Sequence, residues 1–263
     1  MTRSVFITGG ATGIGRATAL LLAQRGYFVG AYDIDDERLA ILEADLEAVG
    51  GRGVVGHLDV TDAEEVGRRL AEFHETAGGR LDVLINNAGL LNAGRFEEIP
   101  LEVHHREVEV NVKGVVNGLH AGFPYLKSTP GAVVVNLGSA SAIYGQAELA
   151  NYSATKFFVR AMTEALNLEW GRHDIRVIDM WPLYVNTAMT KDVSTGTTTS
   201  LGIRLTAQDI ADGIAAAIEP TLPRKVLRQV HFPVGTQAKA LAAGARFSPA
   251  WLTRLVNKRL AGH

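Results

Sequence analysis

Short apolar runs alternate with longer stretches of helical periodicity along most of the chain. The runs are rich in β-branched residues and bounded by turn residues, which is typical of strands. We predict strands over Ser4–Thr8, Phe28–Asp33, Gly53–Leu58, Val83–Asn86, Ala132–Leu137 and Ile175–Met180. Helices are predicted between them, over 14–25, 36–48, 62–76, 101–127 and 152–171. This alternation predicts an α/β fold in which helices cover both faces of a parallel sheet, giving three layers.

The last part of the chain departs from this alternation. A further strand is predicted within 226–234, followed by helices near 236–246 and 249–260, the second of them starting at Ser248-Pro249. Residues 188–205 are rich in Thr, Ser and Gly, and we expect them to form a mobile functional loop.

Charge is unevenly divided along the chain. Residues 221–263 contain eight basic residues and no acid, so residues 1–220 carry 18 basic against 28 acidic residues, although the total is only −2. We therefore predict a single domain over 1–235 and a basic helical extension over 236–263.

Length and composition restrict the class of protein. A chain of 263 residues suits one hydrophobic core with a short appendage. The absence of cysteine excludes disulfides and thiol catalysis, and the eight histidines lack metal-ligand spacing. The first strand begins so early that we expect no signal peptide, and no stretch resembles a membrane span. These features predict a cytoplasmic protein without metal or nucleic-acid partners.

A glycine-rich turn follows the first strand. Its glycines let the backbone approach a pyrophosphate, and the helix that follows offers free N–H groups and the positive end of its dipole. The spacing is Gly-x-x-x-Gly-x-Gly rather than the general Gly-x-Gly-x-x-Gly, so on the motif alone a turn without a ligand stays open. The residues predicted to contact a dinucleotide here are Gly9, Thr12, Gly13, Ile14 and Gly15.

An acid at the end of the second strand bears on the choice of cofactor. Asp33 lies 18 residues beyond Gly15. A carboxylate at this position accepts hydrogen bonds from a ribose 2′-OH and repels a 2′-phosphate. Ile34 offers no positive charge to NADP, so NAD(H) is the predicted cofactor. The alternative is that Asp33 merely ends a strand, like the turn acids Asp35 and Asp36 after it.

Further motifs follow in a fixed order along the chain. They are Asp59-Val60, Asn86-Asn87-Ala88-Gly89, Asn111-Val-Lys-Gly, Ser139 and Tyr152-xxx-Lys156. With the glycine turn, they make the chain resemble the short-chain dehydrogenase/reductase family over nearly all of residues 1–220. The resemblance implies a doubly wound Rossmann sheet, with Asp59 and Val60 flanking the adenine and Asn87, Ala88 and Gly89 along the cofactor ribose.

Tyr152 and Lys156 form the candidate catalytic pair. At i and i+4 they project from one face of a helix, where an ammonium favours the phenolate and so lowers the phenol pKa. Ser139 ends the fifth strand, where its hydroxyl can bind the substrate oxygen. Taken singly, each has an ordinary alternative: a core tyrosine, a solvated lysine, or Ser141 in place of Ser139. The resemblance implies that Asn111 holds a relay water and that Lys156 also binds the nicotinamide ribose.

The segment after the sixth strand departs from the family pattern. Leu183 follows Pro182 where the family usually has glycine, which adds apolar bulk beside the expected nicotinamide. Backbone contacts from Val185 and a hydroxyl contact from Thr187 to the carboxamide are still expected. The predicted substrate pocket comprises Ser139, Ile143, Tyr144, Gln146, Leu149, Leu183, Tyr184 and Met189.

These residues predict a function and two alternatives. The main hypothesis is hydride transfer between NAD(H) and a secondary alcohol or ketone that is neutral and moderately hydrophobic. One alternative is an NAD(H)-binding sensor or scaffold without catalysis. The other is a peripheral membrane dehydrogenase of lipid-like alcohols.

The amphipathic last helix supports the membrane alternative. It gathers Trp251, Leu252, Leu255, Val256 and Leu260 towards one side and bases on the rest. Docking on its own subunit or on a dimer mate is the commoner behaviour of such helices, so we favour docking over membrane binding. By family resemblance, helices 101–127 and 152–171 would form the surface of a homodimer or homotetramer.

Overall fold

Parallel strands form the centre of the fold. The computed structural model describes residues 2–191, 193, 195–219 and 229–260. The strands are β1 (Ser4–Thr8), β2 (Phe28–Asp33), β3 (Arg52–His57), β4 (Val83–Asn86), β5 (Val133–Leu137), β6 (Arg176–Pro182), β7 (Val185–Asn186), β8 (Leu205–Thr206) and β9 (His231–Val234). Seven of them form one parallel sheet in the order β3-β2-β1-β4-β5-β6-β9, and β7 pairs with β8 separately. The predicted doubly wound α/β fold is confirmed.

Helices connect the strands and cover the sheet. They are α1 (Gly13–Gln24), α2 (Asp36–Ala48), α3 (Ala63–Thr76), α4 (Leu101–Val108), α5 (Gly114–Lys127), α6 (Ala150–Trp170), α7 (Gly196–Leu201) and α8 (Ala207–Ile218), then a first tail helix (Thr236–Phe247) and a second tail helix (Ala250–Leu260). Across the described ranges, no helix is both long enough and apolar enough to cross a bilayer.

Two hydrophobic cores lie on opposite faces of the sheet. On one face, α1, α2 and α8 pack against apolar strand residues such as Val5 and Val29. On the other face, α3, α5 and α6 pack against Phe6 and Leu84. Neighbouring residues of a strand point to opposite faces of the sheet, and helices cover both faces. Every residue of such a strand is therefore buried, which explains the continuous apolar runs in the sequence.

Side-chain caps mark the starts of α2, α3, α7 and α8. Asp62 caps α3, since its side chain accepts from the N–H groups of Glu64 and Glu65. The single helix predicted over 101–127 is instead α4 and α5 joined by a π-helical turn at Glu109–Lys113.

The C-terminal predictions need two adjustments. Within the predicted loop 188–205 the structure contains α7, because Thr195 caps that helix by accepting from the N–H of Thr198. Of the strand predicted within 226–234, the structure has His231–Val234, while residues 226–228 lie outside the described residues.

A close approach between β2 and α3 gives a direct test of this packing. A Cβ added to Gly30 would lie 2.5 Å from Cδ2 of the Phe73 ring. We expect Gly30→Ala to lower the free energy of unfolding by about 1–3 kcal/mol, the usual cost of overpacking. Denaturant unfolding measures this change.

Gly67→Ala on α3 is the matched control, because a Cβ there would meet nothing within 4 Å. Alanine in a helix should stabilise by about 0.5–1 kcal/mol relative to glycine. Equal stability of the two variants would contradict the packing described here.

Candidate active site

A deep cavity lies at the carboxyl ends of the strands, where the strand order reverses between β1 and β4. Open α/β sheets bind their ligands at this point. The cavity has a volume of about 320 Å³. All residues predicted to contact the cofactor except Gly15 line it: Gly9, Thr12, Gly13, Ile14, Asp33, Asp59, Val60, Asn87, Ala88, Gly89, Tyr152, Lys156, Pro182, Val185 and Thr187.

The glycine turn gives this cavity an anion-binding wall. Gly9 and Gly13 have φ values of +64° and +50°, which side chains disfavour. Gly15 lies under the turn, where a Cβ would clash with the carbonyl oxygen of Gly9. Thr12 makes no side-chain cap, and the first turn of α1 contains no acid. The N–H groups at this helix start therefore fit the pyrophosphate of a dinucleotide.

Hydrogen bonds between the ends of β1 and β4 hold the glycine turn in place. The Asn87 Nδ2 donates to the carbonyl oxygens of Thr8 at 3.0 Å and Gly9 at 2.7 Å. In return, the Thr8 hydroxyl accepts from the backbone N–H groups of Asn87 and Ala88, both at 3.1 Å. Asn87 thus stabilises the glycine turn by hydrogen bonds and also lines the cavity.

Asp33 also braces the turn. Its Oδ2 accepts from the Ala11 N–H at 3.0 Å, and its Oδ1 accepts from the Ile34 N–H at 2.8 Å and the Asp35 N–H at 3.3 Å. A carboxylate offers about four acceptor positions. One acceptor position of Asp33 therefore remains free of these backbone hydrogen bonds, and Asp33 lines the cavity in which the ribose of a dinucleotide would be held.

The cavity is also lined by an ion pair that the sequence did not reveal. Arg106, on α4, donates to the Asp59 carboxylate at 3.2 Å and lines the cavity with it. Burial raises the pKa of Asp59, but hydrogen bonds from Thr61 and Arg106 outweigh burial and lower this pKa overall. Nothing in the sequence distinguishes Arg106 from other helical bases, because its partner lies on another element.

Tyr152, Lys156 and Ser139 meet at the inner end of the cavity. All three are buried, although each lines the cavity. The Lys156 Nζ lies 5.5 Å from the centre of the Tyr152 ring and donates to the Leu137 carbonyl oxygen at 2.8 Å. The Ser139 hydroxyl donates to the Ser141 hydroxyl at 3.2 Å, and Ser141 lines the cavity too.

Burial controls the acid–base properties of this pair. Desolvation raises the pKa of Tyr152 to about 12, opposed by a hydrogen bond with Ser139. Desolvation lowers the pKa of Lys156 to about 8. The direction for Tyr152 is opposite to the one expected from its pairing with Lys156, because loss of hydration raises its pKa and outweighs the hydrogen bond with Ser139.

Asn111 lies in the π-helical turn between α4 and α5 and does not line the cavity directly. Its Nδ2 donates to the Leu90 carbonyl oxygen at 2.8 Å and the Thr155 hydroxyl at 3.1 Å, and its Oδ1 accepts from the Leu90 N–H at 2.7 Å. A Cβ on Gly89 would lie 3.2 Å from the Asn111 Oδ1 and 3.7 Å from the Lys156 Nζ. Glycine therefore leaves the space between these two polar groups open.

Glu107 is a buried acid beneath the site that sequence reasoning missed. Its carboxylate accepts from the Asn92 N–H at 2.8 Å and the Asn151 Nδ2 at 2.7 Å. It thereby ties the segment after β4 to the start of α6, next to Tyr152. Its negative charge raises the pKa values of both Tyr152 and Lys156. A signal was present, since Glu107 falls on the buried stripe of α4 that continues to Val110.

The predicted substrate residues divide into two groups. Ser139, Gln146, Leu183, Tyr184 and Met189 line the cavity. The Tyr184 hydroxyl donates to the Gln146 Oε1 at 3.0 Å, which leaves apolar groups as most of this wall.

The other three predicted substrate residues do not line the cavity. Leu149 is buried behind Tyr152, and Tyr144 instead faces a small crevice against the tail helices. Ile143 also lies outside the cavity wall, because the turn at Ala140–Ala142 redirects the chain after Ser139.

Fold and cavity together define a dinucleotide-binding oxidoreductase. The family model for short chain dehydrogenase matches residues 3–198, and the chain therefore belongs to this family. Its relatives include the 2,5-dichloro-2,5-cyclohexadiene-1,4-diol dehydrogenase LinX of Sphingobium indicum, 35% identical over 187 residues that cover 71% of this chain and 74% of that protein. Members of the family interconvert alcohols and ketones with a nicotinamide dinucleotide, and this chain is an oxidoreductase of that kind.

Solved structures with the same fold hold either form of the cofactor. A short chain dehydrogenase from Mycobacterium paratuberculosis bound to NAD has a TM-score of 0.79 at 27% identity, covering 88% of this chain and 96% of its own. One from Burkholderia cenocepacia in complex with NADP has a TM-score of 0.81 at 26% identity, covering 98% and 97%.

The contacts of Glu107 predict its contribution to stability. Glu107→Ala removes the acceptor of the half-buried Asn92 N–H and one of the two acceptors of the Asn151 Nδ2, so we expect a loss of about 2 kcal/mol in unfolding free energy. Glu107→Gln keeps an acceptor oxygen and should lose less. The control Glu109→Ala removes only the helical pair with Lys113, worth about 0.3–0.5 kcal/mol. If Glu107→Ala lowered the free energy of unfolding no more than the control does, the hydrogen bonds of Glu107 would not stabilise the fold as we expect.

Proposed function

We propose that the chain transfers a hydride between NAD(H) and a secondary alcohol or its ketone, with Tyr152 as the acid and base. The observation that carries the proposal is the meeting of Tyr152, Lys156 and Ser139 at the inner end of a cavity whose other wall is the glycine turn. A bound nicotinamide supplies the hydride acceptor or donor, and the protein supplies the proton.

In the reductive direction, the proposed roles follow from the acid–base state of the pair. With a pKa of about 12, the Tyr152 phenol is protonated at neutral pH and can donate its proton to the ketone oxygen. The Ser139 hydroxyl donates a hydrogen bond to the same oxygen and stabilises its developing charge. Lys156, still mostly charged at neutral pH, adds positive charge beside the phenol.

In the oxidative direction, the proton and hydride leave separately. The Tyr152 phenolate accepts the alcohol O–H proton, and a bound nicotinamide would supply the acceptor for the hydride of the carbinol C–H bond. Formation of the phenolate requires nearby positive charge, for which Lys156 and an oxidised nicotinamide are suited. Asn111 is proposed to support proton exchange from Lys156 with solvent, since both border the space at Gly89.

We further propose that the cofactor is NAD(H), because Asp33 presents a carboxylate at the cavity and Ile34 adds no positive charge. The pocket, with Leu183 and Met189 in its wall, suits a neutral and moderately hydrophobic alcohol. The diol named for the Sphingobium relative supports this class.

Assembly and location stay predictions. A homodimer or homotetramer through α5 and α6 is supported by exposed apolar residues there, such as Val116, Phe157 and Leu168. A catalytic unit over 1–235 with a helical extension, located in the cytoplasm, completes the proposal.

Replacing the proposed acid tests the chemistry. Tyr152→Phe keeps the ring but removes the proton donor, so kcat should fall about 100-fold or more while NADH affinity stays unchanged. Steady-state rates with a panel of ketones and NADH titration by fluorescence measure the two quantities. Tyr144→Phe is the control, since that tyrosine does not line the cavity. Substantial activity of Tyr152→Phe would remove the assigned role.

Exchanging the charge at the end of β2 tests the proposed preference for NAD(H) over NADP(H). Asp33→Asn with Ile34→Arg keeps an oxygen for the Ala11 N–H but removes the carboxylate and adds a cation. The ratio of kcat/KM with NADPH to that with NADH should rise roughly tenfold or more, which corresponds to about 1.4 kcal/mol. Asp36→Asn removes the same charge away from the cavity and should leave the ratio unchanged. A native enzyme that already prefers NADPH would overturn the proposal.

A further inference from the structure

The second tail helix has an inner face that packs on the catalytic domain. Thr253, Val256 and Asn257 lie on this face and line a crevice of about 110 Å³ opposite Tyr144. The Asn257 Nδ2 donates to the Gly145 carbonyl oxygen at 2.6 Å. This contact fixes the helix beside the loop that carries Gln146 into the cavity wall.

The outer face of the same helix is apolar with a basic border. Trp251 and Leu255, one helical turn apart, are 67% and 41% exposed. With 3.6 residues per turn, Arg254 and Lys258 follow one edge of this pair and Arg259 the other edge. All three bases are exposed.

The preceding helix ends in another exposed apolar residue, since Phe247 is 85% exposed and lies four residues before Trp251. The Gln237 Nε2 donates to the Leu201 carbonyl oxygen at 3.0 Å, so that helix is also anchored on the domain. We call Phe247, Trp251 and Leu255, with the bases Arg254, Lys258 and Arg259, the tail patch.

The bases of the tail patch have no acidic neighbour along the last part of the sequence. Residues 221–263 contain no acid. Arg254 and Lys258 stand at i and i+4, where like charges destabilise a helix. In the part of the chain that the structure describes, none of the three bases forms an ion pair. An external partner that carries negative charge would therefore complement the patch.

We propose that the tail patch binds the surface of a bilayer that contains anionic lipid. Such a surface offers phosphates to the bases and an apolar layer at the depth that Trp251 and Leu255 require. A two-fold contact with a second copy through this face would instead bring its bases against their own counterparts. Membrane docking by the tail patch would also place the adjoining cavity wall close to the lipid.

Vesicle sedimentation of the full-length chain tests the proposal. We expect binding to vesicles of phosphatidylcholine mixed with phosphatidylglycerol and little binding to phosphatidylcholine alone. Replacing Arg254, Lys258 and Arg259 together by Gln should weaken binding about 100-fold, at about 1 kcal/mol per base. Trp251→Ser with Leu255→Ser should also weaken it. These side chains are exposed, so the variants should keep the fold, checked by thermal unfolding.

Matched controls separate local from general effects. Replacing Arg25, Lys127 and Arg172 by Gln removes the same charge from exposed positions elsewhere, and Ile41→Ser with Leu101→Ser removes exposed apolar groups elsewhere. Both controls should bind like the unmodified chain. Equal binding of the tail-patch variants and the controls, or no binding to the anionic vesicles, would overturn the proposal. So would loss of an oligomer in the tail-patch variants, measured by sedimentation velocity, because a second copy would then cover the patch.

Discussion

The structure depends on the four hydrogen bonds that join the end of β1 to the end of β4. Through them, Asn87 and Thr8 hold the glycine turn against a neighbouring strand rather than leaving it as a free loop. The strand order reverses at this point, so helices leave on opposite faces and a crevice opens. This topology places the start of α1 at the crevice, and the free N–H groups of that helix form the anion-binding wall of the cavity.

Burial gives the opposite wall its chemistry. A phenol and an ammonium in water would differ little in pKa, whereas desolvation in this site moves Tyr152 up and Lys156 down. Glu107, held below them by backbone and side-chain amides, raises both values and so favours the protonated forms. Packing between α4 and α6 therefore contributes to the acid–base behaviour of Tyr152 and Lys156.

The sequence allowed the fold and most of the cavity wall to be predicted, because the glycine turn and the residues around Tyr152 are local motifs in a fixed order. It could not reveal features that depend on contacts between distant elements. The π-helical turn at Glu109–Lys113 continues the helical backbone from α4 into α5, so the segment resembles one uninterrupted helix in the sequence. Glu107 lies on the buried stripe that continues to Val110, but an acid there resembles a solvated helical residue until its partners are known. Tyr144 follows Ser139 closely in sequence, yet a single turn directs it away from the cavity.

The central claim is that the cavity brings a carbinol carbon and a nicotinamide together for direct hydride transfer. Incubating the protein with NAD⁺ and secondary alcohols deuterated at the carbinol carbon tests this claim most directly. We predict that mass spectrometry finds one deuterium in the NADH formed and none lost to solvent. Tight binding of NAD⁺ without any transfer from a broad panel of alcohols would contradict it and indicate a non-catalytic binding protein.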